Sequence, residues 1–262
     1  MQPRSNLTLA LLLTLAAVAA CDDDSPAAPA PRVLTAVNVS VATPTLEVGQ
    51  MTTAAASGTD QDGAPIATGA VTWSSETSTV AGVNPTTGFI FAISPGTTRI
   101  TATVEGKVGE RTVTVAQAPA IRINEIQPRA DQPTGWIEFF NPTGAAVDLT
   151  EWSLIDANFF GPTFRFPAGS LIPAHGFLVV EEATLPFGLD ANDSAHLFSR
   201  FGVHVDGTFW DRQPPTTLGR CDDAPGVLVV TTAATKGTPN ACPEAGQALG
   251  ARQRSSIIEA AR

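Results

Sequence analysis

The feature that most restricts this chain is its rhythm. Short runs with a two-residue period are cut by Gly, Pro, Asn or Asp at roughly the 8–12-residue spacing of an antiparallel β protein. Ile100, Ala102 and Val104 alternate with Thr101 and Thr103, Glu105-Gly106-Lys107 forms a hairpin tip, and Val113 and Val115 complete the partner strand. Alternation sends successive side chains to opposite faces, so each run buries one face and wets the other. Thr59–Gly63, Asn84–Gly88, Pro95-Gly96 and Asn141–Gly144 are further turn signals. With 22 Gly and 21 Pro, few stretches are left in which a helix could propagate. The pattern predicts an all-β chain of antiparallel sandwiches.

At 262 residues and 43% hydrophobic content, the chain has room for one large or two small domains with packed cores. The rhythm is interrupted near Pro119, which places a first domain over residues 33–117 and a second over 121–242. Residues 243–262 form a tail rich in Gly, Gln, Arg and Ser, with a short apolar patch at Ile257-Ile258.

Residues 1–20 are of another kind. Arg4 gives a positive start, Leu7–Ala20 is apolar apart from Thr8 and Thr14, and small residues precede Cys21. This has the form of a secretory leader and is too short to span a membrane. Val18-Ala19-Ala20-Cys21 resembles a bacterial lipobox, which implies cleavage before Cys21 and acylation of its thiol. Residues 21–32, CDDDSPAAPAPR, then form an acidic, Pro-rich tether. At ~3.1 Å per residue its extended length is roughly 35–40 Å. Asp22 resembles an inner-membrane retention signal of enteric bacteria, a rule that varies between lineages. The expectation is a lipid-anchored envelope protein at the outer membrane or cell surface.

Loss of Arg4 with the leader leaves 14 basic residues against 25 acidic, a net charge of −11. Such a surface repels phosphate backbones and anionic lipid, so nucleic acid is disfavoured and the lipid must make the membrane attachment.

VTWSSETSTVAGVNPTTGFIFAISPGTTRITATVEGKVGERTVTV resembles a group 2 bacterial Ig-like domain, with Ala92, Gly96, Ile100, Thr101 and Ala102 in the family's "A-x-x-x-G-x-x-x-I-T-A" run. That resemblance implies a stalk, spacer or adhesive module, with Trp73 in its core. INEIQP, GWIEFFNPTGAAVDLTEWSLID, FRFPAGSLIPAHGFLVV, FGLDANDSAHLF, VHVDGTFW, LGRCDDAPG and KGTPNAC occur in the order of a lamin tail domain, an Ig-like β-sandwich. His175 departs from that pattern by standing where Gly is common, and Asp223–Gly226 loosens a loop of the family. The resemblance implies interaction rather than catalysis. The fold expected is therefore two tandem Ig-like sandwiches after a cleaved lipoprotein signal peptide.

Cys221 and Cys242 remain once Cys21 is acylated. Export favours one disulfide, closing a loop of about twenty residues worth roughly 3 kcal/mol. Two free thiols or half of a metal site are the alternatives. Candidate chemistry is sparse. The chain has no G-x-S-x-G, H-E-x-x-H or Walker sequence. His204 and Asp206 share a strand face, as metal ligands do, but lack a third ligand, and His196 lies on another alternating run. Glu125 and Glu138 form a carboxylate pair of the kind glycosidases use, or two fixed acceptors of backbone N–H groups. Asp60 and Asp62 fit a turn better than a calcium loop. Trp136, Trp152 and Trp210 belong to a core or, if surfaced together, to a sugar platform.

No catalytic residue, metal or cofactor is expected. The function expected is non-enzymatic: the first domain as spacer, the second presenting loops at the sandwich end to an envelope protein or glycan. Asn158, Phe159, Phe160, Asp190, Asn192, Asp193, Trp210, Asp211 and Arg212 carry this expectation. A structural role in an envelope assembly, or an accessory role beside a secreted hydrolase, is the alternative. The oligomeric state is not set by the sequence.

Overall fold

The computed structural model describes residues 29–128, 135–221 and 227–244. Cys21, the leader, Asp223–Gly226 and the tail beyond Glu244 lie outside the described residues.

The first domain runs through β1 (Leu34–Val41), β2 (Thr45–Glu47), β3 (Met51–Asp60), β4 (Pro65–Ile66), β5 (Thr72–Ser75), β6 (Ala81–Val83), β7 (Phe89–Ala92), β8 (Gly96–Val104) and β9 (Lys107–Ala116). One sheet has the order β1-β3-β7-β6 with β4 on β3; the facing sheet is β2-β9-β8-β5. The β8–β9 hairpin closes through Glu105 and Gly106, both at positive φ, as a two-residue turn matched to strand twist requires. Trp73, Ile90, Ile100, Val104 and Val113 fill the space between the sheets. Gly109 lets β1 cross β9 closely, since a Cβ there would stand 2.3 Å from the Val37 carbonyl oxygen.

Local register departs from the simple alternation. A bulge between Leu34 and Ala36 buries Leu34 and Val37 and leaves Val33 outside the strand and exposed. In the apolar run at Phe89, Ile90 and Ala92 are buried while Phe91 and Ile93 face out.

The second domain runs through β10 (Arg122–Gln127), β11 (Trp136–Phe140), β12 (Val147–Asp148), β13 (Ser153–Ile155), β14 (Phe164–Arg165), β15 (Leu171–Ile172), β16 (Phe177–Glu181), β17 (Asp193–Phe198), β18 (His204–Trp210), β19 (Leu218–Arg220) and β20 (Leu228–Val230). Sheet β16-β11-β10-β19-β20 packs on sheet β14-β13-β17-β18, with the pair β12-β15 alongside. Ile123, Ile137, Phe139, Trp152, Leu154, Phe166 and Leu197 form the core between them. Val147–Leu154 is two short strands rather than one, because the chain turns through Glu151 at φ 66° to bury Leu149 and Trp152. The run Phe177–Val180 is less buried than its apolarity suggests. Among the described residues β16 is an edge strand paired with β11 alone, and Val180 is its one fully enclosed residue.

Cys221 and Cys242 are joined, with Cα atoms 5.8 Å apart. The bond ties residues 227–242 to the end of β19. Between the domains, Arg200 reaches Glu47 at 3.5 Å. Gly49 lies so close to the turn Ser199–Val203 that a Cβ there would meet Val203 Cγ2 at 2.7 Å. Among the described residues no helix is long and apolar enough to cross a membrane.

Candidate interaction surface

The β17–β18 hairpin organises the surface. Its register runs from Phe198 opposite His204 at the turn end to Asp193 opposite Trp210 at the open end. The turn end meets the first domain through Arg200 and Val203. The open end lies about 17 Å further along the strands, at ~3.4 Å per residue. Two of the predicted loops converge on that far end. Ala157 N–H donates to the Asp193 carboxylate at 3.1 Å, and Trp210 Nε1–H donates to the Asp190 carbonyl at 2.7 Å. Asp211 and Arg212 continue directly from β18.

The Asp156–Gly161 loop is built from its own polar groups. Asp156 accepts the Asn158 N–H at 2.9 Å, and the Asn158 carbonyl accepts the Gly161 N–H at 2.7 Å. Those bonds hold a tight turn whose side chains point away from the core. Phe159 is 56% exposed and Phe160 102% exposed. Wetting two large rings at one loop tip costs burial worth about 1.5–3 kcal/mol each, and folding offers no return for it. Asn158, Asp190 and Asn192 are exposed beside them, and Asp211 and Arg212 pair with each other at 3.3 Å in solvent.

Two of the predicted binding residues do not belong to this surface. Trp210 is 4% exposed and packs in the core. Alternation in β18 makes Trp210 and Phe209 face opposite ways, so Phe209, 80% exposed, is the surface aromatic of the pair. Asp193 is buried, and its carboxylate accepts N–H groups from Ala157 and Ser194. It fixes the loop and is not offered to a ligand. Burial raises its pKa above the ordinary carboxylate value, and those N–H groups oppose the shift.

The sequence did not single out the outer face of the hairpin as a unit. Ala195 and Leu197 point inward, so His196 and Phe198, both part-exposed, lie on the outer face with Ser194, which is itself covered there. Four rings follow one another there: Phe159–His196 at 4.9 Å, His196–His204 at 5.6 Å, and His204–Phe198 at 5.2 Å between centroids. Partial burial, then the neighbouring His204, push His196 below the ordinary imidazole pKa, against the opposing pull of Asp193. The legible signal was the two-residue spacing of Ser194, His196 and Phe198. Their partners across the hairpin are not.

The other candidate chemistry resolves into structure. Glu125 and Glu138 are cross-strand neighbours and 0% exposed. The Glu125 carboxyl accepts from Thr217 Oγ1, Thr235 N–H and Thr235 Oγ1. That of Glu138 accepts from Asn124 Nδ2 and Gly237 N–H. All four oxygens are engaged inside the protein. Asp206 turns away from His204, holding Arg220 in a two-pronged pair at 2.8 and 2.9 Å and accepting the Ile123 N–H. The Asp60 carboxylate accepts N–H groups from Asp62 and Ala64, as a turn requires, and Arg32 beside it lowers its pKa. Trp73, Trp136 and Trp152 are buried along with Trp210, so no tryptophan platform surfaces.

The family matches agree with this architecture. Residues 33–115 match the bacterial Ig-like domain (group 2), and residues 114–211 match the Lamin Tail Domain. The second match stops short of β19, β20 and the disulfide, which complete that domain's larger sheet. No curated protein matches the chain. Similar solved structures include the S-layer protein rSbsC(31-844), 13% identical over 76% of this chain and 32% of that one, with a TM-score of 0.32. The Escherichia coli adhesin FdeC is 18% identical over 70% of this chain and 65% of that one, TM-score 0.32. Adhesin InvE of Yersinia pseudotuberculosis is 14% identical over 66% and 58%, TM-score 0.27. This chain spans about a third of the length of that S-layer protein.

Proposed function

We propose that this chain, a group 2 bacterial Ig-like domain followed by a lamin tail domain, is a non-enzymatic envelope protein that displays a binding surface away from its anchor. Lipid on Cys21 holds it to the membrane. The first domain is the spacer. The second presents Asn158, Phe159 and Phe160, flanked by Asp190, Asn192, Asp211 and Arg212, to an envelope protein or glycan. The observation that carries this reading is the solvated Phe159–Phe160 tip, at the end of β17–β18 opposite the turn that meets the first domain. Rigid aromatic anchors inside a polar rim are the composition of a binding centre. The enclosure of Glu125 and Glu138 supports the non-enzymatic part, since no substrate reaches either carboxyl.

The test is a diazirine side chain placed at position 160 of the full chain and photolysed on living cells, with position 171 as an exposed apolar control. Adducts at 160 that vanish in a Phe159→Ser background are the expected outcome. Equal labelling at 171, or none at 160, refutes the assigned surface. Protease shaving of intact cells with the wild type and Cys21→Ser checks the anchor. The expected result is a wild type cut on the cell exterior and a variant that is released or left unprocessed.

A further inference from the structure

We propose that His196 and His204 form a zinc-binding pair on the outer face of the β17–β18 hairpin. His196 Nδ1 and His204 Nε2 are 3.4 Å apart. Two nitrogens bound to one tetrahedral Zn²⁺ at about 2.0–2.1 Å are separated by about 3.3–3.4 Å. The ~2.8 Å chord of a square-planar Cu²⁺ or Ni²⁺ site would require the rings to close up. The spacing as it stands fits the tetrahedral ion.

Two surroundings suit the pair to a metal. His196 Nε2 lies 3.1 Å from Ser194 Oγ. With the proton on Nε2 donated to that hydroxyl, the lone pair of Nδ1 is left facing His204, the orienting contact that metal-bound imidazoles use. Gly207 sits opposite His196 in the register and keeps the space open, since a Cβ there would stand 2.6 Å from His196 Nδ1 and 2.8 Å from His204 Nε2. Asp206 is committed to Arg220 and Asp193 to backbone N–H groups, so neither contributes. Among the described residues no third His, Cys, Asp or Glu joins the pair. Water fills the remaining positions, which stay open to a donor from a partner, as in sites that keep exchangeable coordination.

The experiment is calorimetric titration of the full chain with Zn²⁺ in a Cys21→Ser background, which removes the unpaired thiol. The chain has three histidines, so His175→Gln is an internal control. The expected result is one equivalent bound, unchanged in His175→Gln and lost in both His196→Gln and His204→Gln. Ser194→Ala should weaken it by about 10-fold through the orienting contact alone. Exposed His204 can be replaced without loss of the fold, which thermal melting of each variant verifies. Zinc binding that survives either ligand variant, or no binding by the parent chain, overturns the proposal.

Discussion

Truncation of Glu125 is the most informative single perturbation, because it separates a structural carboxyl from a catalytic one. Glu125→Ala removes the acceptor of Thr235 N–H, Thr235 Oγ1 and Thr217 Oγ1 at a site with no solvent exposure. Thr217 Oγ1 can turn to Thr231 Oγ1, and Thr235 Oγ1 has Asn240 Oδ1 at 3.5 Å, so these two recover in part. The Thr235 N–H has no such recourse and costs about 1–3 kcal/mol when stranded. Loss of a buried methylene and the space left by the carboxyl adds about 1–2 kcal/mol. The sum, about 2–5 kcal/mol, is a large part of the ~5–15 kcal/mol that stabilises an ordinary domain. Glu125→Gln keeps one oxygen for Thr235 and should cost about 1 kcal/mol.

The assay is urea unfolding of the full chain, with hydrogen exchange read separately over residues 227–244. Glu125→Ala should lower the second domain's midpoint and raise exchange first in that segment, which hangs on Glu125 and Glu138 through Thr235 and Gly237. Glu125→Gln should stay close to wild type. A Glu125→Ala protein destabilised by less than 1 kcal/mol, or a Gln variant as damaged as the Ala variant, would refute the reasoning.

His175 holds φ 53° in the turn before β16, so His175→Gly should stabilise the second domain by about 0.5–1 kcal/mol, read from the urea midpoint at constant slope. Burial raises the Glu138 pKa above its ordinary value of 4.5, with like charge on Glu125 adding to the shift and N–H groups from Gly237 and Asn124 opposing it. The folded state therefore holds this proton more tightly than the unfolded chain does. Its stabilisation is complete below pH 4.5 and is lost as pH rises through the raised value. The stability of wild type relative to Glu138→Gln should accordingly fall with rising pH, measured by urea midpoints from the acid side to neutrality; a constant difference would contradict the shift.

The sequence made the architecture legible because alternation and turn chemistry are local. Ile100–Val104, Glu105-Gly106 and Val113–Val115 define a hairpin without reference to anything distant, and the structure pairs them accordingly. The resemblance to the lamin tail family, not the local pattern, marked His175 as a residue in a glycine's place, and its φ of 53° agrees. What stayed hidden depends on partners remote in the chain. Nothing near Glu125 in sequence indicates that Thr235, 110 residues later, satisfies its carboxyl. Nothing near His204 says that His196 is the imidazole facing it, since the Leu197/Phe198 register shift sets which residues of the hairpin meet. The inward side of Trp210 was legible locally. In a strand the members of Phe209-Trp210 cannot share a face, and the larger indole, with an N–H that finds the Asp190 carbonyl, is the one a core can enclose. Once Trp210 is turned inward, Phe209 is turned outward on the face that carries His196 and Phe159. The anchoring of one ring in the core therefore fixes which aromatic the surface presents, and substitutions aimed at binding belong at Phe159, Phe160 and Phe209, where removing a ring leaves the sandwich intact.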